Sequence, residues 1–429
     1  MFICPMAYQS LQYDKLTTPH FLFFLQSVFC GVRKDEEFVR REMSENCRVS
    51  IKPHEIARND LRSQSLDLLR FPLAVVILII HTFDIQELAI HGQEYSVNIY
   101  SGFVAINHFI SGFLRQQSVP IYFFISGFVF FLGRDWTTKI YIRKLKNRVH
   151  TLLIPYVIWN TVALLLPLIY LLPCFSALFP NVHKLEWDFS LSRIFSSYWN
   201  LPQEINNFGN IWGTTAPIDG PLWFIRDLMI VVLCTPILYW LLKRVRHYLI
   251  WLLGILWFMV VYFDLGRVDQ LLSAFFFFSW GAYMSVNGKD MLAEFGRFSR
   301  WTNILYPLLA LFYITAAYCW PEVAVTIKRL NILVGLIFAY NLAVWLLKCG
   351  ICKVNRFLAS SSFFIYITHG IIIALVLKGV FYLIRPDSGF SVFLVYALAV
   401  GVTLTFLLMS FYLLRRYTPG LLKVMTGRK

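Results

Sequence analysis

Between residues 65 and 414 the sequence returns, about ten times, to an apolar stretch roughly as long as a bilayer is thick. Runs of about 17–25 apolar residues read as spanning helices. The expected spans are 66–84, 119–132, 151–172, a fourth opening at Leu222, then 248–263, 271–286, 301–318, 331–347, 362–383 and 391–414. The expected fold class is therefore all-α, a polytopic membrane protein of about ten transmembrane helices. Only 15% of residues are charged and 58% are hydrophobic, whereas a soluble domain carries about 25% charged residues.

Charge then sets topology and excludes one class of partner. The formal net charge of +15 sits in loops between apolar runs, as membrane topology produces, so nucleic acid is not an expected partner. With the N-terminus placed in the cytoplasm, the inner loops hold about twenty Lys and Arg against seven outside. That count favours both termini inside and an even number of spans. Of the eight cysteines, Cys349 and Cys352 form a CxxC, but no second pair completes a zinc site. No metal is expected.

Residues 1–62 are read as an N-terminal cytoplasmic segment, poorly ordered, with Met1 or Met43 as the start. A membrane domain follows over 63–415, with a short cytoplasmic tail over 416–429.

The first apolar run carries the sharpest signal. Arg70 and His81 are eleven positions apart, about three helical turns, so they share a face, and Asp84 follows three residues later. An ionisable group inside a membrane is costly and points to function. The plain reading competes: Arg70 snorkels, and His81 with Asp84 ends the helix at the interface. Four other places carry polar groups against lipid. Ser126 and Gly127 interrupt the second span, where small residues also serve helix packing. Trp223 lies over Arg226 and Asp227 at positions three and four apart, either a substrate face or an interfacial Trp with a local ion pair. Ser362, Tyr366 and His369 share one face of the ninth span, where His369 is either a site residue or a packing histidine. Arg143, Lys144 and Arg148 form a basic run that suits phosphates, although topology alone also places cations there.

These pieces, in this order, resemble the integral membrane acyltransferase-3 family, whose members O-acylate cell-surface glycans. The residues carrying the resemblance are LDLLRFPLAVVILIIH, VPIYFFISGF, KLKNRVHTLLIPYVIWN, GPLWFIRDLMIVVL, FFFFSWGAYM and SSSFFIYITHG. One departure stands out: the family's second arginine after Arg148 is Thr151 here. The resemblance implies an acyl-CoA co-substrate, acetyl-CoA first, and no bound cofactor. The acceptor is a glycan or lipid-linked sugar, and the protein sits among the lipids of the cytoplasmic membrane. Arg70, Arg143, Lys144, Arg148 and Ser126 are then the donor-side candidates. His81 is the expected general base or acyl carrier, with Asp84 orienting it. Trp223, Arg226, Asp227, Tyr366 and His369 are the acceptor-side candidates. A polysaccharide exporter is the competing class, since it too would bury charge in about ten spans.

Overall fold

Apolar runs without turn residues become helices, and the first, α1 (Pro53–Phe83), begins well before its apolar core. The computed structural model describes residues 53–133, 136–175, 177–180, 190–200, 216–263 and 266–427. Residues 1–52 of the segment expected to be poorly ordered over 1–62 lie outside the described residues, as do Trp187, Asn206, Asn207 and Trp212 of the long loop between the third and fourth expected spans. The expected boundary at 62 falls inside α1.

After α1 the chain makes a feature the sequence reading did not anticipate. Strands β1 (Glu87–Ile90) and β2 (Gln93–Ser96) pair antiparallel, with Leu88 opposite Tyr95. The two-residue connection is His91 at φ 51° and Gly92 at φ 76°. Two positive φ values in a row are what a tight hairpin of the right twist requires. Helix α2 (Ser101–Phe109) passes through a wide π turn (Ile110–Leu114) into α3 (Arg115–Phe131). The stretch before the second expected span is thus helical and continuous with it.

Helix α4 (Thr138–Arg148) is capped by the Thr137 hydroxyl, and a second π turn (Val149–Leu153) joins it to α5 (Ile154–Tyr170). A short α6 (Leu191–Trp199) follows. A tight turn (Gly220–Leu222) opens α7 (Trp223–Leu233), which bends by 61° into α8 (Thr235–Arg244). Next come α9 (His247–Val260), α10 (Gly266–Val286), α11 (Met291–Gly296), α12 (Ser299–Cys319) and α13 (Pro321–Lys348). The last three are α14 (Arg356–Ile384), α15 (Gly389–Tyr417) and α16 (Pro419–Thr426). Asn355 caps α14 through two backbone amides, and Ser388 with Ser391 forms a capping box on α15.

All ten expected spans lie on helical backbone, but the count of ten is not reached by length and composition. Among the described residues, five helices are long and apolar enough to cross alone, or six if the bent α7–α8 pair counts as one. Helices α3 and α9 are too short, at 17 and 14 residues. Helices α10 and α12 reach 21 residues but are not among these five. What stands is a multi-pass, essentially all-α membrane protein with, among the described residues, one small hairpin.

The largest buried core joins residues of α1, α3, α5, α7, α10, α13 and α14. Helices α3 and α10 touch backbone to backbone: a Cβ on Gly127 would run into the Phe278 carbonyl, and one on Gly281 into the Phe124 carbonyl. A second core, with Phe83, Leu88, Phe103 and Tyr396, ties the hairpin to the end of α1 and to α15. The tail is not loose: Leu422 of α16 is buried, and Trp159 donates to the Met425 carbonyl at 3.1 Å.

One charge assignment needs correcting. Arg329, one of the seven cations that the sequence places in outer loops, lies within α13, 5% exposed. It is paired with Asp269 at 2.7 Å and stacked over Trp257 at 4.6 Å. A guanidinium this buried survives only when paired.

Candidate functional site

The site is built where α1 meets α14. The His81 and His369 rings stack, centroids 5.3 Å apart and 25° from parallel. The two residues are 288 positions apart in sequence, so helix periodicity could place each on a face but not against the other.

The hydrogen bonding of His369 fixes its tautomer. Its Nδ1 lies 2.7 Å from the Tyr366 carbonyl and 3.2 Å from that of Ile365. Carbonyls only accept, so Nδ1 carries the hydrogen and the neutral ring keeps its lone pair on Nε2. That Nε2 is buried and has no hydrogen-bond partner. An imidazole so held can take a proton or receive a hydrogen bond from a hydroxyl.

His81 faces a carboxylate on its other side. Its Nδ1 is 3.5 Å from Asp84 Oδ2, long for a hydrogen bond but within ion-pair reach. Asp84 is also ion-paired with Arg115, the first residue of α3. Asp84 therefore divides its charge between the imidazole and a guanidinium. Sequence reasoning had Arg115 only as a loop cation, because the apolar run after it begins at Val119. The π turn just before Arg115 was equally invisible; its Phe113 carbonyl accepts from Asn331 Nδ2 at 3.1 Å.

A wall of aromatic side chains leads from the histidines toward Arg70. The Tyr366 ring is 6.2 Å from His369, 5.7 Å from Phe224 and 6.5 Å from Tyr122. Tyr366 donates to the Pro221 carbonyl, and Tyr122 donates to the Arg70 carbonyl at 2.5 Å. The Arg70 guanidinium pairs with Asp67 at 2.9 Å and is about 40% exposed. Eleven residues of helix separate Arg70 from His81 by about 16 Å.

Helix α3 runs antiparallel to α1, which orders the remaining candidates. Arg115 meets Asp84 at one end, Tyr122 meets Arg70 midway, and Arg62 stacks over Phe128 at 5.2 Å near the other end. Beyond it, Lys144 and Arg148 lie over the Phe130 ring at 5.0 and 5.7 Å, and Lys144 also donates to the Phe130 carbonyl. Arg143 is exposed. The basic run thus gathers at the far end of α3 from the histidines, about 24 Å along the helix axis. Arg62, which sequence reasoning passed over, adds to it. Ser126 is half-buried on α3 beside the tightly packed Gly127.

Trp223, Arg226 and Asp227 are placed differently from one another. Trp223 is half-buried, 6.5 Å from the Phe123 ring. Arg226 and Asp227 are 1% and 0% exposed and pair at 3.0 Å. Arg226 also donates to the Trp199 carbonyl and to Asn200 Oδ1 at 2.7 Å, so it ties the end of α6 to α7. Among the described residues no group of three or more His, Cys, Asp or Glu is arranged to hold a metal ion.

Residues 63–411 match the family model of the acyltransferase-3 proteins, which is described as an acyltransferase domain. The succinoglycan biosynthesis protein ExoH of Rhizobium meliloti (strain 1021) is 26% identical over 334 residues, 75% of this chain and 81% of its own length. No solved structure matches.

Proposed function

The chain belongs to the acyltransferase-3 family, and from that premise we propose that it moves an acyl group from a cytoplasmic acyl-CoA to a hydroxyl of a cell-surface or lipid-linked glycan. A relative that takes part in succinoglycan biosynthesis supports a polysaccharide as the acceptor. Acetyl is the acyl group proposed first. The protein would sit in the cytoplasmic membrane with both termini inside.

The observation that carries the reading is the stacked pair His81 and His369, reached along α1 from a cluster of cations. Arg62, Arg70, Lys144 and Arg148 offer charge for the donor's phosphates, with Arg143 at the exposed edge. The thioester then extends past Tyr122 and Tyr366 toward the imidazoles, and Ser126 is the candidate hydroxyl on α3 along that route.

At the histidines the acceptor O–H gives its proton to His81, and its oxygen bonds to the thioester carbonyl carbon. The carbon–sulfur bond breaks, and the thiolate leaves with that proton. A two-step version has the His81 nitrogen take the acyl group first and pass it to the acceptor. General-base assistance is worth about 10²–10⁴-fold, and imidazole provides it near neutral pH. Asp84 orients His81, and Tyr366 is the hydrogen-bonding neighbour of His369. Trp223 offers a stacking surface to a sugar ring, with Arg226 and Asp227 supporting that wall.

The test is ester analysis of surface glycans from cells lacking the gene, complemented with wild type or with His81→Ala. Loss of an ester, restored by wild type alone while both proteins accumulate in the membrane, is the expected result. Unchanged ester content with glycan trapped inside the cell would overturn the reading in favour of export.

A further inference from the structure

The transfer site has a buried carboxyl that the reading above does not use. Asp219 lies one residue before the Gly220–Leu222 turn and is 3% exposed. Its backbone is fixed: its N–H donates to Asn160 Oδ1 at 3.1 Å, and its carbonyl accepts from Leu222 N–H at 2.9 Å. Its side chain makes no capping bond to the turn it precedes. Oδ2 is buried and has no hydrogen-bond partner.

The other oxygen shows where the carboxyl points. A Cβ built on Gly370 would come within 2.8 Å of Asp219 Oδ1. The carboxyl therefore occupies the space that glycine leaves open on α14, next to His369. The Tyr366 hydroxyl reaches the same turn, at the Pro221 carbonyl. Asp219 Oδ2 and, on the residue before Gly370, His369 Nε2 are both buried without a hydrogen-bond partner. Buried polar groups are almost always paired, so each of these two orphans leaves a hydrogen bond for a ligand to complete.

Chemistry selects what that is. His369 Nε2 is a bare lone pair, and a carboxyl keeps at least one accepting oxygen in either protonation state. The donor's thioester oxygen and phosphates are themselves acceptors. Among the reacting groups, the hydroxyl of the glycan is the hydrogen-bond donor. The geometry points to Asp219 as an acceptor-binding residue: with His369 it receives hydrogen bonds from the hydroxyls of the sugar that is acylated. Gly370 is what lets the carboxyl stand there. This rests on the acyl-transfer reading.

The experiment uses full-length protein in lipid nanodiscs, with radiolabelled acetyl-CoA as donor and surface polysaccharide from the deletion strain titrated as acceptor. Asp219→Asn and Asp219→Ala are expected to raise the acceptor KM about tenfold or more while leaving the acetyl-CoA KM within twofold. Gly370→Ala, which pushes the carboxyl out, should reproduce the acceptor defect. Gly379→Ala on the same helix, where a Cβ meets nothing within 4 Å, should match wild type. An acceptor KM unchanged in both Asp219 variants overturns the assignment. So does a parallel rise in both KM values with a lowered melting temperature, which marks a purely structural role. A wild-type protein that forms no ester from acetyl-CoA or from a panel of other short-chain acyl-CoAs overturns the acyl-transfer reading beneath it, and is told apart because no variant is needed to see it.

Discussion

At the scale of single residues, His369 is the side chain whose environment is most fully determined. Two carbonyls hold its Nδ1–H, so the ring does not need to choose a tautomer at the moment of reaction. His369→Ala is therefore expected to raise the acceptor KM about tenfold or more, the effect of a lost hydrogen-bond partner for the sugar hydroxyl, with membrane abundance unchanged; initial rates of ester formation against acceptor concentration check this. Tyr122→Phe removes one hydroxyl and leaves its packing. It should cost about 1 kcal/mol, read as a lower melting temperature, because only the bond to the Arg70 carbonyl is lost. Residues of this kind differ in how visible they are in a sequence. His81, Asp84 and Arg70 stand out because charge inside an apolar run is expensive and therefore informative. Arg115 and Asp219 do not, because each lies just outside such a run, and only the fold shows Arg115 reaching Asp84 and Asp219 standing against Gly370. The stacking of His81 on His369 was hidden for a different reason: it depends on which helix packs on which.

At the scale of helices and turns, the legible part is the apolar run and the illegible part is its interruption. Every expected span is helical, yet neither π turn was signalled by Gly or Pro at a fixed offset. The β1–β2 hairpin was missed because four-residue strands leave too short a pattern of alternation. What the sequence did suggest was that FFISGF packs closely, and the reason is now explicit. Gly127 on α3 and Gly281 on α10 let two backbones meet, each glycine facing the other helix's carbonyl. Overpacked side chains commonly cost about 1–3 kcal/mol. Here a backbone carbonyl stands in the way and cannot rotate aside, so Gly127→Ala and Gly281→Ala should each cost at least that. The expected outcome is a markedly lower yield of folded protein by size-exclusion profile, with Gly401→Ala on α15, which meets nothing within 4 Å, as the unaffected control. Since α3 bridges Arg115 at the histidines and Phe130 at the basic run, separating α3 from α10 should also lower acyl transfer in whatever protein remains.

At the scale of the whole molecule, the open question is how many times the chain crosses. Helices α1, α13, α14 and α15, with the helical stretch Thr138–Tyr170, are long and apolar enough to cross on any count. Helices α3, α9, α10 and α12 decide between ten crossings and six. The native cysteines distinguish the two, because Cys174, Cys319 and Cys349 are all exposed on the protein and lie between these helices. Helix α13 separates Cys319 from Cys349, so these two must always fall on opposite sides. Between Cys174 and Cys319 lie the bent α7–α8 pair and then α9, α10 and α12. If all of these cross, the number of crossings is even and Cys174 shares a side with Cys319. If only the bent pair crosses, Cys174 shares a side with Cys349 instead. Full-length variants that each keep one of these cysteines, treated in intact cells with a membrane-impermeant maleimide, read the answer directly. Labelling of Cys174 and Cys319 but not Cys349 is the expected pattern, and it also places the C-terminus inside, since α14 and α15 return the chain to the side of Cys349. The cations near Phe130 open the Thr138–Tyr170 span and Cys174 follows its end, so they meet a cytoplasmic acyl-CoA when Cys174 is outside, and a Cys174 that the reagent does not reach from outside would remove the donor site from its donor.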